Sequence, residues 1–486
     1  MATRRILRSK QHRDIVLSAL AVFASAATVV TCSAMGTRNP HHASPTLPVR
    51  VEAPPIASVP PVAGPPAASQ DPKASPSLVG RWFAPSDLGT TPEGNAVPDL
   101  PQFYDALARL ETRLRHDHVR VVWLGDSHTQ ADGWTHSVRK ALQARFGNGG
   151  PGFVHVGWIT YGYRRENVVL RATGSWSLLP NTLVSVTPVD DGVLGLGGLR
   201  LEPRGADATA SVVVNASDLP GKGSWDLAVR LTEKDASLVV QLDGKEQTLE
   251  AQPHTLGHIR HVPLESKGPG GTLQVSRGWN RPQLLGVVVE AADRHGVVLD
   301  TLGLNGARYR SALASDEATW VAELARRQPD LVVLAFGTNE SSDVKLKAEA
   351  HAARVKQLVE RIRKAAPQVD CLIFGPIDRG GEQYEQTVVR INEAQAAAAR
   401  ELGCAFWNGQ QAMGGPGSMQ RWASMVPPLG GGDRVHLYPR GYQKLGEMLG
   451  RDMLAGYDAG VVRAAPATEP TTEPDAADAA EPGTYP

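Results

Sequence analysis

Residues 119–146 read VRVVWLGDSHTQADGWTHSVRKALQARF. Val119 and the run Val121 to Leu124 are compact and apolar, the pattern of a strand buried on both faces. The run stops at Gly125. Beyond Ser127 the apolar positions Trp134, Val138, Leu142 and Phe146 recur at four-residue spacing, which predicts a helix. Ser127 therefore falls at a strand-to-helix turn, on the carboxyl side of a buried strand. Open α/β sheets place their sites there, and the backbone N–H groups of a helix start can face an anion.

The same alternation resumes far downstream. Val297 to Leu302 reads as a strand leading to Gly306, Thr319 to Arg327 as a helix, and Leu331 to Phe336 as a strand ending at Gly337. Helices are expected at Ala348 to Ala365 and Gln386 to Leu402, with short strands at Cys371 to Phe374 and Ala405 to Trp407; Pro439 opens a last helix to about Leu454. Strands alternating with helices imply a mostly parallel sheet covered on both faces. Between Glu166 and Asp293 the pattern changes to short Val-, Leu-, Thr- and Trp-rich segments separated by Gly, Pro and Asp-Gly turns such as Asp243-Gly244. Examples are Ala210 to Val214, Trp225 to Leu231, Leu238 to Leu242 and Leu284 to Glu290. Their spacing predicts an antiparallel sandwich inserted into the α/β part.

At 486 residues the chain is long enough for two or three domains, and its 50 basic and 50 acidic residues leave no cationic excess for a phosphate backbone. Nucleic acid is not an expected partner, and a monomer is expected. Three cysteines, Cys32, Cys371 and Cys404, lack the spacing of a zinc site, and 14 histidines are dispersed without a ligand motif. No metal and no cofactor are implied. Cys371 and Cys404 each lie in a short apolar segment, and two buried thiols are preferred over a disulfide there.

Arg4, Arg5, Arg8, Lys10 and Arg13 precede an apolar run from Ile15 to Ala34, the pattern of an export signal or membrane anchor over residues 1–36. Its end at Val29-Val30-Thr31-Cys32 is an imperfect lipoprotein box. Lipoprotein, uncleaved anchor and cleaved secretion signal all fit, so a periplasmic or cell-envelope location is expected, either tethered or secreted. Residues 37–78, rich in Pro, Ala, Val and Ser, read as an extended tether. Residues 463–486, with almost no apolar bulk, read as a disordered acidic tail. The α/β part then occupies 79–165 and 295–462, and the β module 166–294.

Four blocks can serve one site: Gly125-Asp126-Ser127, Asn305-Gly306-Ala307, Gly337-Thr338-Asn339-Glu340 and Asp433-Arg434-Val435-His436. Each alone is common turn sequence. Ser127 is the candidate nucleophile, because a hydroxyl at a strand end with a base nearby is what acyl transfer needs. His436 is the candidate base and Asp433, three residues earlier in one turn, the group that holds its tautomer. The Ser127 and Gly306 N–H groups and the Asn339 side-chain amide are the candidate oxyanion donors, with Gly303 a rival to Gly306. His128, adjacent to the nucleophile on a tight turn, is expected to point elsewhere. Asp378 and Arg379, after the Cys371 strand, are placed by topology near the same sheet edge.

In order and topology these blocks resemble the SGNH (GDSL-type) hydrolase family, whose name-giving positions fall on Ser127, Gly306, Asn339 and His436, with Asp433 as the triad acid. His128 stands where many members have Leu, and Glu340 where many have Asp. The resemblance covers roughly Leu100 to Gly162 and Val297 to Gly456, and implies a flavodoxin-like three-layer fold interrupted by the β module. Residues 125–132, with Phe146-Gly147-Asn148-Gly149-Gly150 and the insert, are similar to exported bacterial members that include peptidoglycan O-acetylesterases with a carbohydrate-binding-like module. That implies a serine esterase acting on an acetylated cell-envelope glycan such as peptidoglycan. An O-acetyltransferase using the same triad, or a glycan-binding protein with a vestigial hydrolase domain, are the alternatives; the intact set of five groups argues against the last. Trp176, Trp225 and Trp279 of the insert have faces suited to sugars, but tryptophans in small sandwiches are more often core.

Overall fold

The computed structural model describes residues 90–157, 163–180 and 191–464. The expected export segment and tether, and the tail from residue 465, lie outside the described residues. Among those that are described, no helix is long and apolar enough to cross a membrane.

Five parallel strands form the central sheet: Val119–Gly125, Val297–Gly303, Leu331–Ala335, Asp370–Gly375 and Ala405–Asn408. Counted along the chain they lie side by side as second, first, third, fourth and fifth, the flavodoxin-like order. Every residue of Val119–Gly125 is buried, as expected of a strand covered on both faces. Its pleat sends successive side chains to opposite sides. Val119, Val121 and Trp123 join one core with Trp134, Val138 and Leu142 of the helix Gly133–Phe146 and Leu445 and Leu449 of the helix Pro439–Ala464. Val122 and Leu124 join the other core, with Trp320 and Leu324 of the helix Glu317–Arg327 and Val355 and Leu358 of the helix Ala348–Ala365. Three layers result. The helix that begins at Pro439 runs ten residues past its expected end, to Ala464.

Register fixes where the loops leave. Gly125 is level with Gly303 on one side and Ala335 on the other. The segments carrying Ser127, Gly306 and Asn339 therefore depart from adjacent strand ends at one edge of the sheet.

Between the first two of these strands the chain builds two antiparallel sheets. One holds Ile259–Pro269, Lys222–Arg230, Gln283–Ala291, Arg200–Pro203 and Trp176–Leu179; the other holds Val169–Thr173, Thr209–Val214, Gly271–Trp279, Ser237–Leu242 and Lys245–Glu250. Thr209–Val214 and Ser237–Leu242 alternate half-buried and buried residues, and Val212 and Val240 share a core with Trp225, Leu227 and Val287 of the other sheet. Asp243 and Gly244 take φ of 50° and 80°, the left-handed pair that a two-residue hairpin between twisted strands requires. A further short strand, Gly152–Val154, pairs antiparallel with Val287–Val289, so the first antiparallel sheet recruits a piece of chain that precedes residue 166.

Buried charge ties the β module to the α/β layers. Asp132 is fully buried, ion-paired to Arg139 at 2.8 Å and to Arg165 at 3.5 Å, and accepts hydrogen bonds from the Thr135 and Thr301 hydroxyls and the Glu166 N–H. Burial opposes its charge, but the two guanidinium groups outweigh that and hold its carboxyl well below the usual range. A second network runs from Glu290 to Arg120 and Arg327, and from Arg327 to Asp300. Removing one partner of a buried pair leaves uncompensated charge. Asp132→Ala is accordingly expected to cost about 3–5 kcal/mol, read as a lower urea midpoint at unchanged m-value. A loss under 1 kcal/mol would mean that the arginines find other partners.

Cys371 and Cys404 are joined in a disulfide, with Cα atoms 4.8 Å apart. This corrects the expectation of two free thiols. Cys371 lies in the fourth parallel strand and Cys404 just before the fifth, its neighbour, so register brings them into bonding range.

Candidate active site

Ser127 opens the four-residue helix Ser127–Gln130, whose N-cap Asp126 accepts the His128 N–H at 3.1 Å. Burial, with the nearby Glu340 carboxylate adding to it, pushes the Asp126 carboxyl up to about 8 against the hydrogen bonds it accepts. The Ser127 Oγ lies 2.9 Å from His436 Nε2, and His436 Nδ1 lies 2.6 Å from Asp433 Oδ2. The other oxygen of Asp433 accepts the backbone N–H groups of Val435 and His436, both at 3.0 Å. One carboxylate thus folds the turn and holds the ring. Burial pulls its pKa up, but the bonds from His436 and the two N–H groups prevail and lower it. Residues 309 positions apart in sequence meet here because the turn lies against the start of the first strand's helix.

The Asn339 side chain donates to the Ala307 carbonyl at 2.9 Å, so the third block is bonded to the second beside Gly306. Gly306 has φ of 75°, in the left-handed region that favours glycine. Its rival Gly303 has a packing reason to be glycine. A Cβ there would stand 2.0 Å from the Gln130 nitrogen, so it is what lets the Ser127 helix lie against the second strand. Gln130, which the sequence reading passed over, accepts the Asn305 N–H at 2.9 Å through its side chain and ties the serine block to the glycine block. Its position three residues after Ser127, one helical turn on, was the available signal.

His128 is fully buried, bonded through Nδ1 to the Tyr442 hydroxyl at 2.9 Å and packed 5.1 Å from the His436 ring centre. Burial, then the charge of His436, drives its pKa well below 6.5. It is a neutral wall behind His436. Asp378 is also buried, accepting from Gln410 and the Met419 N–H, and does not line the site. Arg379 does approach it, bonded to the Ser341 and Ser342 hydroxyls that follow the Asn339 block. Of the three tryptophans, Trp225 is core and Trp176 half-buried, while Trp279 is 60% exposed.

A model of the GDSL-like lipase/acylhydrolase family matches residues 267–444. The chain carries a GDSL-like lipase/acylhydrolase domain. The matched stretch includes Gly306, Asn339, Asp433 and His436, and Ser127 lies outside it, on the far side of the β module. The class of chemistry is that of an ester-cleaving acylhydrolase. No curated protein matches the chain. Among solved structures, the chain is similar to a peptidoglycan O-acetylesterase, at 24% identity and a TM-score of 0.61, over 74% of this chain and 96% of that one. That likeness is one of fold. A family two carbohydrate esterase from Cellvibrio japonicus aligns at 10% identity and a TM-score of 0.26, over 60% of this chain and 99% of that one.

Proposed function

We propose that the protein is an exported serine esterase that removes O-acetyl groups from a cell-envelope glycan such as peptidoglycan through an acyl-enzyme. The observation that carries this reading is the run of contacts from Ser127 Oγ through the His436 ring to Asp433, 2.9 and 2.6 Å long. In the reaction His436 Nε2 takes the Ser127 proton as Oγ attacks the acetyl carbonyl, and Asp433 stabilises the imidazolium. The tetrahedral oxyanion is held by the Ser127 and Gly306 N–H groups and the Asn339 amide. His436 returns the proton to the departing sugar oxygen, then activates water to release acetate and restore the serine.

Hydrolysis is preferred over transfer because the site is open. The side chains of His436 and Asp433 are 46% and 52% exposed, so water reaches the acyl-enzyme without a closing step. An open site also suits a polymer. The two antiparallel sheets are read as a face-to-face sandwich of carbohydrate-binding type, with Trp279 the exposed aromatic that suits a sugar ring. The Cys371–Cys404 disulfide and the basic, then apolar, N-terminal segment support export to the envelope.

The test is acetate release from O-acetylated peptidoglycan and from acetylated xylan, each with and without an unacetylated acceptor. Release is expected to be faster from peptidoglycan, with no effect of acceptor. Acetylated acceptor accumulating in place of acetate would make the enzyme a transferase, and no release from either polymer would remove the glycan-esterase reading.

A further inference from the structure

Three arginines lie on segments that form or adjoin the site: Arg308 after the Gly306 block, Arg379 after the Asp370–Gly375 strand and Arg434 inside the turn from Asp433 to His436. Arg379 is half-buried, donates at 3.1 and 2.8 Å to the Ser341 and Ser342 hydroxyls, and lies 4.2 Å over the Tyr384 ring. All of these partners are neutral. Arg434 sits inside the catalytic turn, between Asp433 and His436, with φ of 54°, and its carbonyl accepts the Gly380 N–H at 2.8 Å. The stem of its side chain lies over Gly380, the residue after Arg379, where a Cβ would meet it at 2.6 Å. Arg308 follows the Gly306-Ala307 loop, and its Nε is buried and donates to nothing.

Among the described residues none of the three is ion-paired, although other arginines are, such as Arg139 to Asp132 and Arg327 to Glu290. Of the carboxylates nearby, Asp433 holds His436 and its own turn, and Glu340 is buried with Oε1 on the Tyr309 N–H and Oε2 without a hydrogen bond. Arg379 feels both the attraction of Asp433 and the repulsion of Arg308, and burial, the leading effect, lowers its pKa. Like charges gathered without an anion between them cost free energy, and guanidinium forks match a carboxylate bidentately. Held neutral partners and an unused buried Nε leave donors for such a group.

We infer that the substrate carries a carboxylate close to the scissile ester, and that Arg308, Arg379 and Arg434 bind it. This rests on the esterase reading above and narrows its substrate to anionic esters. A carboxylate on the sugar and one on an attached peptide share this chemistry.

The experiment compares a matched pair, O-acetylated N-acetylmuramic acid and its carboxyl-capped methylamide, with an O-acetylated muramoyl dipeptide as third arm. Wild type is expected to prefer the acid over the amide at least about tenfold in kcat/KM, chiefly through KM, with added salt eroding the preference. Arg379→Gln is expected to bring the ratio near one and Arg379→Lys to restore part of it, since lysine keeps the charge without the fork. Arg379 also ties down Ser341 and Ser342, so Arg434→Gln, which breaks no such bond, is the second variant and is expected to lower the ratio severalfold. A dipeptide turned over as well as the acid places the recognised carboxylate on the peptide, and one turned over like the amide places it on the sugar. Equal rates for acid, amide and dipeptide in wild type, or a preference that survives both glutamine variants, would overturn the inference and leave the esterase reading standing. Loss of all turnover, naphthyl acetate included, would instead remove the esterase reading itself.

Discussion

Ser127→Ala is expected to lower kcat for acetate release by about five orders of magnitude with KM nearly unchanged. The Oγ is the only atom removed, and its bond at 2.9 Å goes to His436, whose side chain is 46% exposed and finds water in its place. No buried donor is orphaned, so stability should move by less than about 0.5 kcal/mol. The Ser127 N–H, the Gly306 loop and Asn339 stay where they are, which predicts a small residual rate above the uncatalysed one. An active-site titration with a fluorophosphonate gives the matching readout: labelling at Ser127 in wild type and none in the variant. A variant within tenfold of wild type at an unchanged unfolding midpoint would place the nucleophile elsewhere.

How much of this was legible in the sequence depended on whether the signal was local. The strand Val119–Gly125 announced itself because burial on both faces demands an unbroken apolar run, and the helix after it because Trp134, Val138, Leu142 and Phe146 all point into one core. Asp433 and His436 were legible as a pair because one turn presents both. The strand Lys245–Glu250 was not, since it is an edge strand in which Leu249 alone is buried, and polar edges carry little pattern. Gly152–Val154 was missed for another reason: three residues give no period, and their partner lies more than 130 positions away. The disulfide depended on two strands becoming neighbours, which topology decides and spacing does not. Gln130 and Tyr442 belong to the same class, each recognisable once the strand ends are assembled.

That difference between local and assembled signals also separates the parts of the function. The proposed nucleophile, base and orienter sit on two short turns, whereas the glycine and asparagine blocks are joined by the bonds from Asn339 to Ala307 and from the Tyr309 N–H to Glu340, and the glycine block to the serine block by the bond from Asn305 to Gln130. The three arginines are more dispersed still. Each is an ordinary basic residue in its own segment, and only the assembled sheet edge brings those segments together. Chemistry can therefore be read from motifs here, while recognition has to be read from the fold.

Asp433→Asn is expected to lower kcat by about three to four orders of magnitude, although the substitution is isosteric. Oδ1 of Asp433 accepts two backbone N–H groups and Oδ2 accepts the proton of His436 Nδ1. An asparagine can satisfy only one of these demands. With its oxygen kept on the Val435 and His436 N–H groups, its NH2 faces Nδ1, which must then be the acceptor, and the ring proton moves to Nε2. Nε2 now presents a hydrogen to Ser127 Oγ and cannot take one. With the amide turned over, Nδ1 keeps its proton but two N–H groups meet an NH2, at about 1–3 kcal/mol for each unsatisfied donor that solvent does not rescue. The first arrangement is the cheaper, so the variant should fold, keep its turn and lose its base. Imidazole nitrogen NMR is the decisive measurement, expected to report Nδ1–H in wild type and Nε2–H in the variant. An unchanged tautomer together with near-normal kcat would show that Asp433 builds the turn and takes no part in the reaction.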